Sequence, residues 1–227
     1  MGITLITPTG DRHAAFMLCE KYMERQTYAG ELQWIVVDDG YEQTHVTLDQ
    51  DYIRRNPGEP KSLGNNLLAA LQYVYFDKIL VIEDDDWYSP NYVQYMDLLL
   101  NSYNMVGEGR SIYYNITNRK WRHLGNSRHA SLCQTGFKSD CLDRFARILS
   151  TKEKFYDIHL WRLSGSKHLF FDKFLCVGMK GLPGRSGIGM GHRNFNGIYD
   201  QNWEKLRELI GQDVEVYKWM TQTTHSL

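Results

Sequence analysis

The sequence is short of several things that would have fixed its class at once. Its four cysteines, Cys19, Cys133, Cys141 and Cys176, are scattered with no C-x-x-C pair, so neither a disulfide framework nor a zinc ribbon is indicated. His123 and His129 beside Cys133 and Cys141 lack zinc spacing as well. No charge of one sign dominates: 26 Lys and Arg stand against 27 Asp and Glu, for a net charge of −1. That balance gives no global pull toward nucleic acid or an anionic membrane. No apolar run approaches the ~20 residues that span a bilayer. Nothing at the N-terminus resembles a signal peptide, so reduced thiols and a cytoplasmic location are expected. There is no Walker lysine motif and no nucleophile elbow, and "GIGMGH" falls short of a G-x-G-x-x-G fingerprint. Internal repeats, linkers and low-complexity segments are also missing. At 227 residues, with 42% apolar residues, one globular domain is expected.

What is present is a concentration of acid. "ILVIEDDDWYSP" runs Ile79 to Ile82 directly into Glu83, Asp84, Asp85 and Asp86. A continuous apolar run of this length suits a strand buried on both faces of a parallel sheet. Ser89 and Pro90 read as an N-cap and first helical residue. The four carboxylates then sit between a strand's carboxyl end and a helix, where open α/β sheets place ligands. A solvated turn favouring the helix dipole accounts for one or two acids, but poorly for four. Adjacent carboxylates raise one another's pKa unless a cation neutralises them. Hard cations such as Mg²⁺ and Mn²⁺ take carboxylate oxygens together with phosphates. An EF-hand is not indicated, because the loop glycine is absent from "DDDWYSPNYVQY".

Periodicity places this turn in a larger pattern. Ile3 to Ile6 reads as a strand followed by the turn "TPTGDR", and Ala15, Leu18, Cys19, Tyr22 and Met23 recur at helical spacing. "LQWIVVDDG" is a strand closing on two aspartates, and "SLGNNLLAALQYV" is a helix with Leu63, Leu67, Leu71 and Val74 on one face. After the acidic turn, Tyr92, Met96, Leu99 and Tyr103 mark another helix. Alternation of strand and helix over the first ~100 residues predicts right-handed crossovers and a parallel sheet. Its carboxyl edge would gather "TPTGDR", "DDG" and "EDDD". Farther on, "SIYYNI", "HLFF" and "FLCVG" read as strands, and "DCLDRFARIL", "FYDIHLWRL" and "QNWEKLRELIG" as helices, the last ending at Gly211. "GMKGLPGRSGIGMGHRNFNG", residues 178–197, has seven glycines and reads as a loop that approaches a ligand closely.

The acidic element resembles the D-x-D of GT-A glycosyltransferases, and its surroundings are similar to glycosyltransferase family 2. Ile82, Glu83, Asp84, Asp85, Asp86 and Pro90 match L-D-x-D-D with its following Pro, Glu83 replacing the first aspartate. "ITPTGDR" is similar to the family's donor-binding turn and "IVVDDGY" to its V-D-D-G-S turn. "LGNNLLAALQYVYFDKILVIEDDD" resembles the segment leading into D-x-D, with Asn65 where an Arg is common. The likeness is clear to about residue 95 and thinner beyond.

The resemblance implies a single α/β GT-A domain over 1–227, a Rossmann-like, mostly parallel sheet flanked by helices on both faces. Residues 1–100 would form the nucleotide-sugar half, and 101–227 the acceptor half with the 178–197 loop. It implies an inverting, metal-dependent glycosyltransferase using Mn²⁺ or Mg²⁺ and a nucleotide-diphosphate sugar, most naturally a UDP-sugar. Thr7, Pro8, Thr9 and Arg12 would lie along the nucleotide, Asp38 or Asp39 would receive the base or ribose, and Lys61 or Asn65 would face the diphosphate or base. Asp85 would be the main metal ligand, with Glu83 and Asp84 reaching the ribose or a metal-bound water. "FYDIHLWRL" is similar to the family's E-D…L-W-R element, with Tyr156 in place of the glutamate. It implies Asp157 as the base that takes the acceptor proton; the plainer role for Asp157 is a helix N-cap. His192 is a candidate further metal ligand or an ordinary surface histidine, and Lys180, Arg185 and Arg193 are candidate diphosphate contacts.

The acceptor is left open between a saccharide or lipid-linked sugar and a hydroxymethylated base in DNA. The DNA option comes from "NRKWRHLGNSRH", where cations alternate with Trp121; an ordinary solvated loop is the plainer explanation. A non-catalytic nucleotide-sugar module and a nucleotidyltransferase are the rivals. The latter's Gly-rich, Lys-containing signature is absent from "TPTGDR".

Overall fold

The computed structural model describes residues 2–59, 63–151, 154–185 and 195–223. In chain order these form β1 (Gly2–Thr9), α1 (His13–Glu24), β2 (Glu31–Asp38), β3 (Asp51–Arg54), α2 (Leu63–Leu71), β4 (Lys78–Val81), β5 (Trp87–Tyr88) and α3 (Tyr92–Leu100). Then come β6 (Met105–Glu108), β7 (Ile112–Asn115), β8 (Lys120–His123), β9 (Thr135–Lys138), α4 (Leu142–Ser150) and α5 (Tyr156–Trp161). β10 (Lys167–Phe170), β11 (Cys176–Lys180), β12 (Ile198–Tyr199), α6 (Glu204–Ile210) and α7 (Val214–Thr223) complete the set.

The apolar runs explain the layering. Along β1, Ile3 and Leu5 face one core while Ile6 faces another; in β2, Trp34 and Val36 oppose Ile35 and Val37. Leu80 and Ile82 likewise oppose Ile79 and Val81. Side chains alternate across a strand, so a run without polar interruptions needs helices on both faces. One core packs under α1, α3, α6 and α7, with Phe16, Tyr92, Met96, Leu206 and Tyr217 buried in it. The other packs under α2, α4 and α5 through Leu67, Phe145 and Leu160. Each large side chain buried in this way contributes roughly 1.5–3 kcal/mol. The Tyr22 hydroxyl donates to that of Tyr217 at 2.8 Å, tying α1 to α7 in the buried interior.

The large sheet has the order β10-β6-β9-β4-β1-β2-β3. β1 pairs parallel with β2 and β4, β2 with β3 and β10 with β6, and only β9 runs antiparallel, between β4 and β6. The sheet is thus mostly parallel and the chain one α/β domain, as the alternation predicts. A second sheet, β12-β8-β7-β11-β5, stands beside it.

Several local expectations are corrected. α3 begins at Tyr92 with Asn91 at the N-cap position, two residues beyond the Ser89–Pro90 start, because the Pro90 carbonyl is engaged by the Thr27 N–H at 2.8 Å. "KWRH" is strand β8 rather than loop, paired on both edges by β7 and β12. The first residues of the Gly-rich stretch, Gly178 to Lys180, belong to β11, and 186–194 lie outside the described residues.

Candidate active site

The carboxyl edge of the large sheet does gather the three turns. Ile82 donates its N–H to Ile6 at 2.9 Å and Asp39 to Thr9 at 3.2 Å, carrying the β1 ladders past the strand ends. Asp11 Oδ1 accepts the N–H groups of Tyr41 at 2.6 Å and Glu42 at 3.2 Å. The two turns approach so closely that a Cβ on Gly40 would come within 2.5 Å of the Asp11 nitrogen. Only glycine fits there.

The acidic turn is buried against this frame rather than splayed into solvent: Asp84, Asp85 and Asp86 are 2%, 4% and 1% exposed. Asp84 accepts from the Thr9 hydroxyl at 2.8 Å and from Arg12 Nη1 at 2.6 Å, while Arg12 Nη2 reaches Asp85 at 2.8 Å. Lys180 Nζ, from β11, lies 3.3 Å from Asp85 and 3.4 Å from Asp86, and the Met179 N–H donates to Asp86 at 2.9 Å. Carboxylate oxygens of Glu83, Asp85 and Asp86 fall within 4.8 Å of one another. Burial pushes the carboxyls of Glu83, Asp84 and Asp86 well above the ordinary range, against the pull of Lys180 and, at Asp84, of Arg12. Burial also works against the charge on Arg12 and Lys180, but the neighbouring carboxylates outweigh it and hold both firmly protonated. Four acids thus meet two fixed cations. The carboxyls outnumber the cations by two, and their donors are hard oxygens. Such a set fits a divalent Mg²⁺ or Mn²⁺.

Below the cluster, the Cys133 and Cys176 thiols lie within 4.8 Å of an Asp86 oxygen. All four cysteines are free and buried. The Cys133 thiol, bonded to Cys176 and desolvated, is pushed well above its usual range, so this floor is neutral.

Asp38 and Asp39 separate cleanly. Asp38, fully buried, accepts the N–H groups of Gly40 and Thr44 at 2.8 Å each, the Tyr52 hydroxyl at 2.5 Å and Arg54 Nη1 at 2.9 Å. Burial opposes its charge, yet Tyr52, the two N–H groups and Arg54 together hold its carboxyl below the ordinary range. Every acceptor position of Asp38 is spent on its own loop and on β3. Asp39 pairs one oxygen with Arg185 Nη2 at 2.8 Å, and its Oδ2 is buried without a hydrogen-bond partner. Thr7 spends its hydroxyl on the Trp34 indole at 2.9 Å, facing the core, and Pro8 is buried.

Asp157 lies in the first turn of α5, and the N-cap position belongs to Phe155 at φ 63°, so the N-cap role is set aside. Asp157 Oδ2 is 3.9 Å from His129 Nε2. Burial raises the Asp157 carboxyl, with the Ile158 N–H and His129 opposing. The segment from His129 to Cys133 runs from Asp157 to the floor of the acidic cluster, with Ser131 accepting the Tyr113 hydroxyl at 3.0 Å on the way. Tyr156, the substitute for the expected glutamate, rests its hydroxyl against Gly64, where a Cβ would come within 2.5 Å. Asn65 is partly exposed on α2. Its neighbour Asn66 is buried and holds Arg55 at 2.7 Å. Lys61, His192 and Arg193 lie outside the described residues.

Asp86 and Arg54 join the site without having been singled out from sequence. Asp86 was legible as the fourth acid of the run; Arg54 was hidden in β3, whose "DYIR" has no apolar stretch.

No family model matches the sequence, and comparison with curated proteins gives no match. Solved structures match at the level of the fold. TarS from S. aureus, residues 1–349 in complex with UDP, superposes with a TM-score of 0.62 at 14% identity over 79% of this chain and 60% of that one. Against TarS itself this chain covers 37% of the partner's length, at 13% identity and a TM-score of 0.59. The mannosyltransferase PcManGT from Pyrobaculum calidifontis, in complex with GDP-Man and Mn²⁺, matches over 99% of this chain and 73% of that one, at 14% identity and a TM-score of 0.58. A putative glucose-1-phosphate thymidylyltransferase from Bacillus anthracis gives 0.52 at 10% identity, over 78% and 89%. The architecture is therefore the GT-A glycosyltransferase fold.

Proposed function

We propose that the protein transfers a sugar from a nucleotide-diphosphate sugar, by preference a UDP-sugar, to an acceptor hydroxyl with inversion at the anomeric carbon. The observation that carries this reading is the convergence of four acids, Glu83, Asp84, Asp85 and Asp86, on only two cations, Arg12 and Lys180. Asp85 chiefly, with Glu83 and Asp86, would hold a Mn²⁺ or Mg²⁺ ion, which would supply Lewis-acid neutralisation of charge on a diphosphate. His192 stands as a proposed further ligand.

The chain's own residues divide the remaining work. Asp39, with its buried oxygen still to be matched, receives the base or ribose, while Asp38 shapes the loop that presents it. Asp84 and Thr9 line the ribose side, with Pro8 in the turn's backbone, and Arg12 and Lys180 supply fixed positive charge toward the phosphates. Arg185 on Asp39 and the partly exposed Asn65 complete the nucleotide wall, and Lys61 stands as a proposed further contact. Asp157 takes the acceptor proton as the acceptor oxygen bonds to C1 and the C1–O bond to the diphosphate breaks, the electron pair leaving with the nucleotide. Burial raises its carboxyl pKa, which makes it a stronger base than an exposed aspartate. TarS is described with UDP and UDP-GlcNAc and PcManGT with GDP-Man and Mn²⁺, which supports a nucleotide-sugar partner here. Four free cysteines support the cytoplasm as the compartment, and among the described residues no helix is long and apolar enough to cross a membrane.

Nucleotide release from a panel of nucleotide sugars, with Mn²⁺ or with chelator, tests the reading. Chelation and Asp85→Asn should each lower turnover at least about 100-fold. Chelator-resistant turnover, or an Asp85→Asn enzyme as fast as the parent, would refute it. The likeness to the thymidylyltransferase keeps nucleotidyl transfer as the second reading; it requires pyrophosphate release from a nucleoside triphosphate in the same assay.

A further inference from the structure

Between Arg110 and Ser139 the chain has no aspartate or glutamate, yet it carries Arg110, Arg119, Lys120, Arg122, Arg128 and Lys138. In a protein of net charge −1 this is a pronounced local excess. The small sheet gives it direction. Side chains of residues directly opposite in a ladder share one face. Lys180 pairs with Asn115, Asn115 with Lys120 and Lys120 with Tyr199, so these four form one row. Gly178, Tyr113 and Arg122 form the next row on the same face. The face begins at Lys180, which touches the acidic cluster, and runs outward to Tyr199, 50% exposed.

Beyond Lys180, which pairs with Asp85 and Asp86, three arginines of this region rest on aromatic rings rather than on carboxylates. Arg122 lies 5.0 Å from the Phe195 ring centre, and Arg119 lies 4.9 Å from that of Tyr199. Arg110 lies 5.2 Å from the Phe171 ring centre. Among the described residues none of Arg110, Arg119, Lys120, Arg122 and Arg128 forms an ion pair, so their charge is not spent within the protein. Arg122 Nε is buried with no hydrogen-bond partner. Gly178 leaves the Tyr113 ring lying flat across the strand, since a Cβ there would come within 2.5 Å of it. Alternating cations and ring faces along a track that ends at a reaction site suit a chain of phosphates and flat bases. An anionic lipid surface fits less well, because Ile198, the most exposed apolar residue of this sheet, pairs with Trp121 and so points to the opposite face.

We propose that this face binds a nucleic-acid strand and that the acceptor hydroxyl is carried on that strand. The acceptor assignment rests on the sugar-transfer reading; the binding itself does not. The test is fluorescence anisotropy of labelled single- and double-stranded DNA with the whole protein across a salt series. Binding should be measurable at about 50 mM salt, and log K should fall linearly with log salt. The triple variant Lys120→Ala/Arg122→Ala/Arg128→Ala should bind at least about 10-fold more weakly, with a slope shallower by about one for each phosphate it no longer neutralises. The charge-preserving variant Lys120→Arg/Arg122→Lys should retain binding, which separates charge from folding. No binding to either DNA at low salt overturns the proposal. So does wild-type affinity in a triple variant whose circular dichroism and melting match the parent. Binding to phosphatidylglycerol vesicles, but not to DNA, overturns it in favour of a membrane. Thermal stabilisation of the wild-type protein by a UDP-sugar with Mn²⁺, measured in parallel, reports on the donor site alone: its loss with DNA binding intact defeats the transfer reading, and the reverse pattern defeats only this one.

Discussion

Arg12 and Arg122 are both partly buried arginines beside a β-sheet, but they are held in opposite ways. Arg12 is clamped between Asp84 and Asp85 at 2.6 and 2.8 Å, as Arg54 is held by Asp38 and Arg185 by Asp39. Arg122 lies over a phenylalanine ring with no carboxylate in reach. The rim of the large sheet is a set of charges already balanced against one another apart from the excess on the acidic turn. Apart from Lys180, the cations of the small sheet's face have no carboxylate partner among the described residues. Buried, mutually oriented charges are expensive to assemble and cheap to use in chemistry, because they need no reorganisation. Charges resting on rings stay available to a mobile polymer. On the proposed reading, the comparison separates where a reaction is prepared from where a large substrate is gathered.

Breaking the proposed chemistry should have the largest effect. Asp157→Asn is expected to cut transfer by roughly 10²- to 10⁴-fold in a nucleotide-release assay while thermal stabilisation by donor and Mn²⁺ persists. An unchanged rate would remove Asp157 as the base.

Next in size is the cation that links the regions. Lys180→Met removes the buried cation beside Asp86 and leaves Asp85 with Arg12 alone, so the metal-free protein should lose about 3–5 kcal/mol in denaturant unfolding. Added Mn²⁺ should return much of that loss, because an ion that binds only the folded state stabilises it. A variant as stable as the parent without metal would show that the rim is not balanced as described.

The adjacent aspartates offer a finer cut. Asp38→Asn removes the charge that Arg54 faces and places an amide donor among donors, so it should lower stability by about 1–3 kcal/mol. Asp39→Asn should leave stability nearly as it was and weaken nucleotide affinity, read as a loss of UDP-induced stabilisation. Equal effects from the two substitutions would contradict the division between them.

The smallest effect concerns pH. Glu108 is fully buried, accepts the N–H groups of Leu175 and Cys176 at 3.0 and 3.1 Å, and burial pushes its carboxyl up to about 8 against those donors. A carboxyl raised on folding holds its proton in the native state after the unfolded chain has released it. Its contribution is therefore full below the ordinary carboxylate range and is lost as pH rises toward about 8. Melting temperatures of Glu108→Gln between about pH 5 and 9 should fall less with pH than those of the parent. Parallel curves would refute the assignment.

The first hundred residues were legible because β1, β2 and β4 are apolar enough to signal burial on both faces and are separated by helices with a clear stripe. Their convergence followed from handed crossovers alone. The missed elements lack such signals. β3 is an edge strand reading "DYIR", β8 is "KWRH" with every residue polar or amphipathic, and β9 is four residues long with Gly136 packed against the Leu80 side chain. α7 alternates "VEVYKW" as a strand would, and only Val214, Tyr217 and Met220 lie buried on its inner side. Within the site, the run Glu83 to Asp86 gave the location but not the partners. Lys180 reaches it through β11 from 94 residues beyond Asp86, and Asp38 looked equivalent to Asp39 until the Tyr52 and Arg54 of an unread strand closed around it.

The antiparallel strand β9 has one more consequence. It is the neighbour of β4 on the side away from β1, and it is also the neighbour of β6, yet it is synthesised after both. A nascent chain leaving the ribosome therefore carries the acidic strand with a bare edge through α3, β6 and the whole β7–β8 hairpin. β4 and β6 meet through that inserted strand, so the acidic rim has no finished sheet behind it until β9 has supplied its staple.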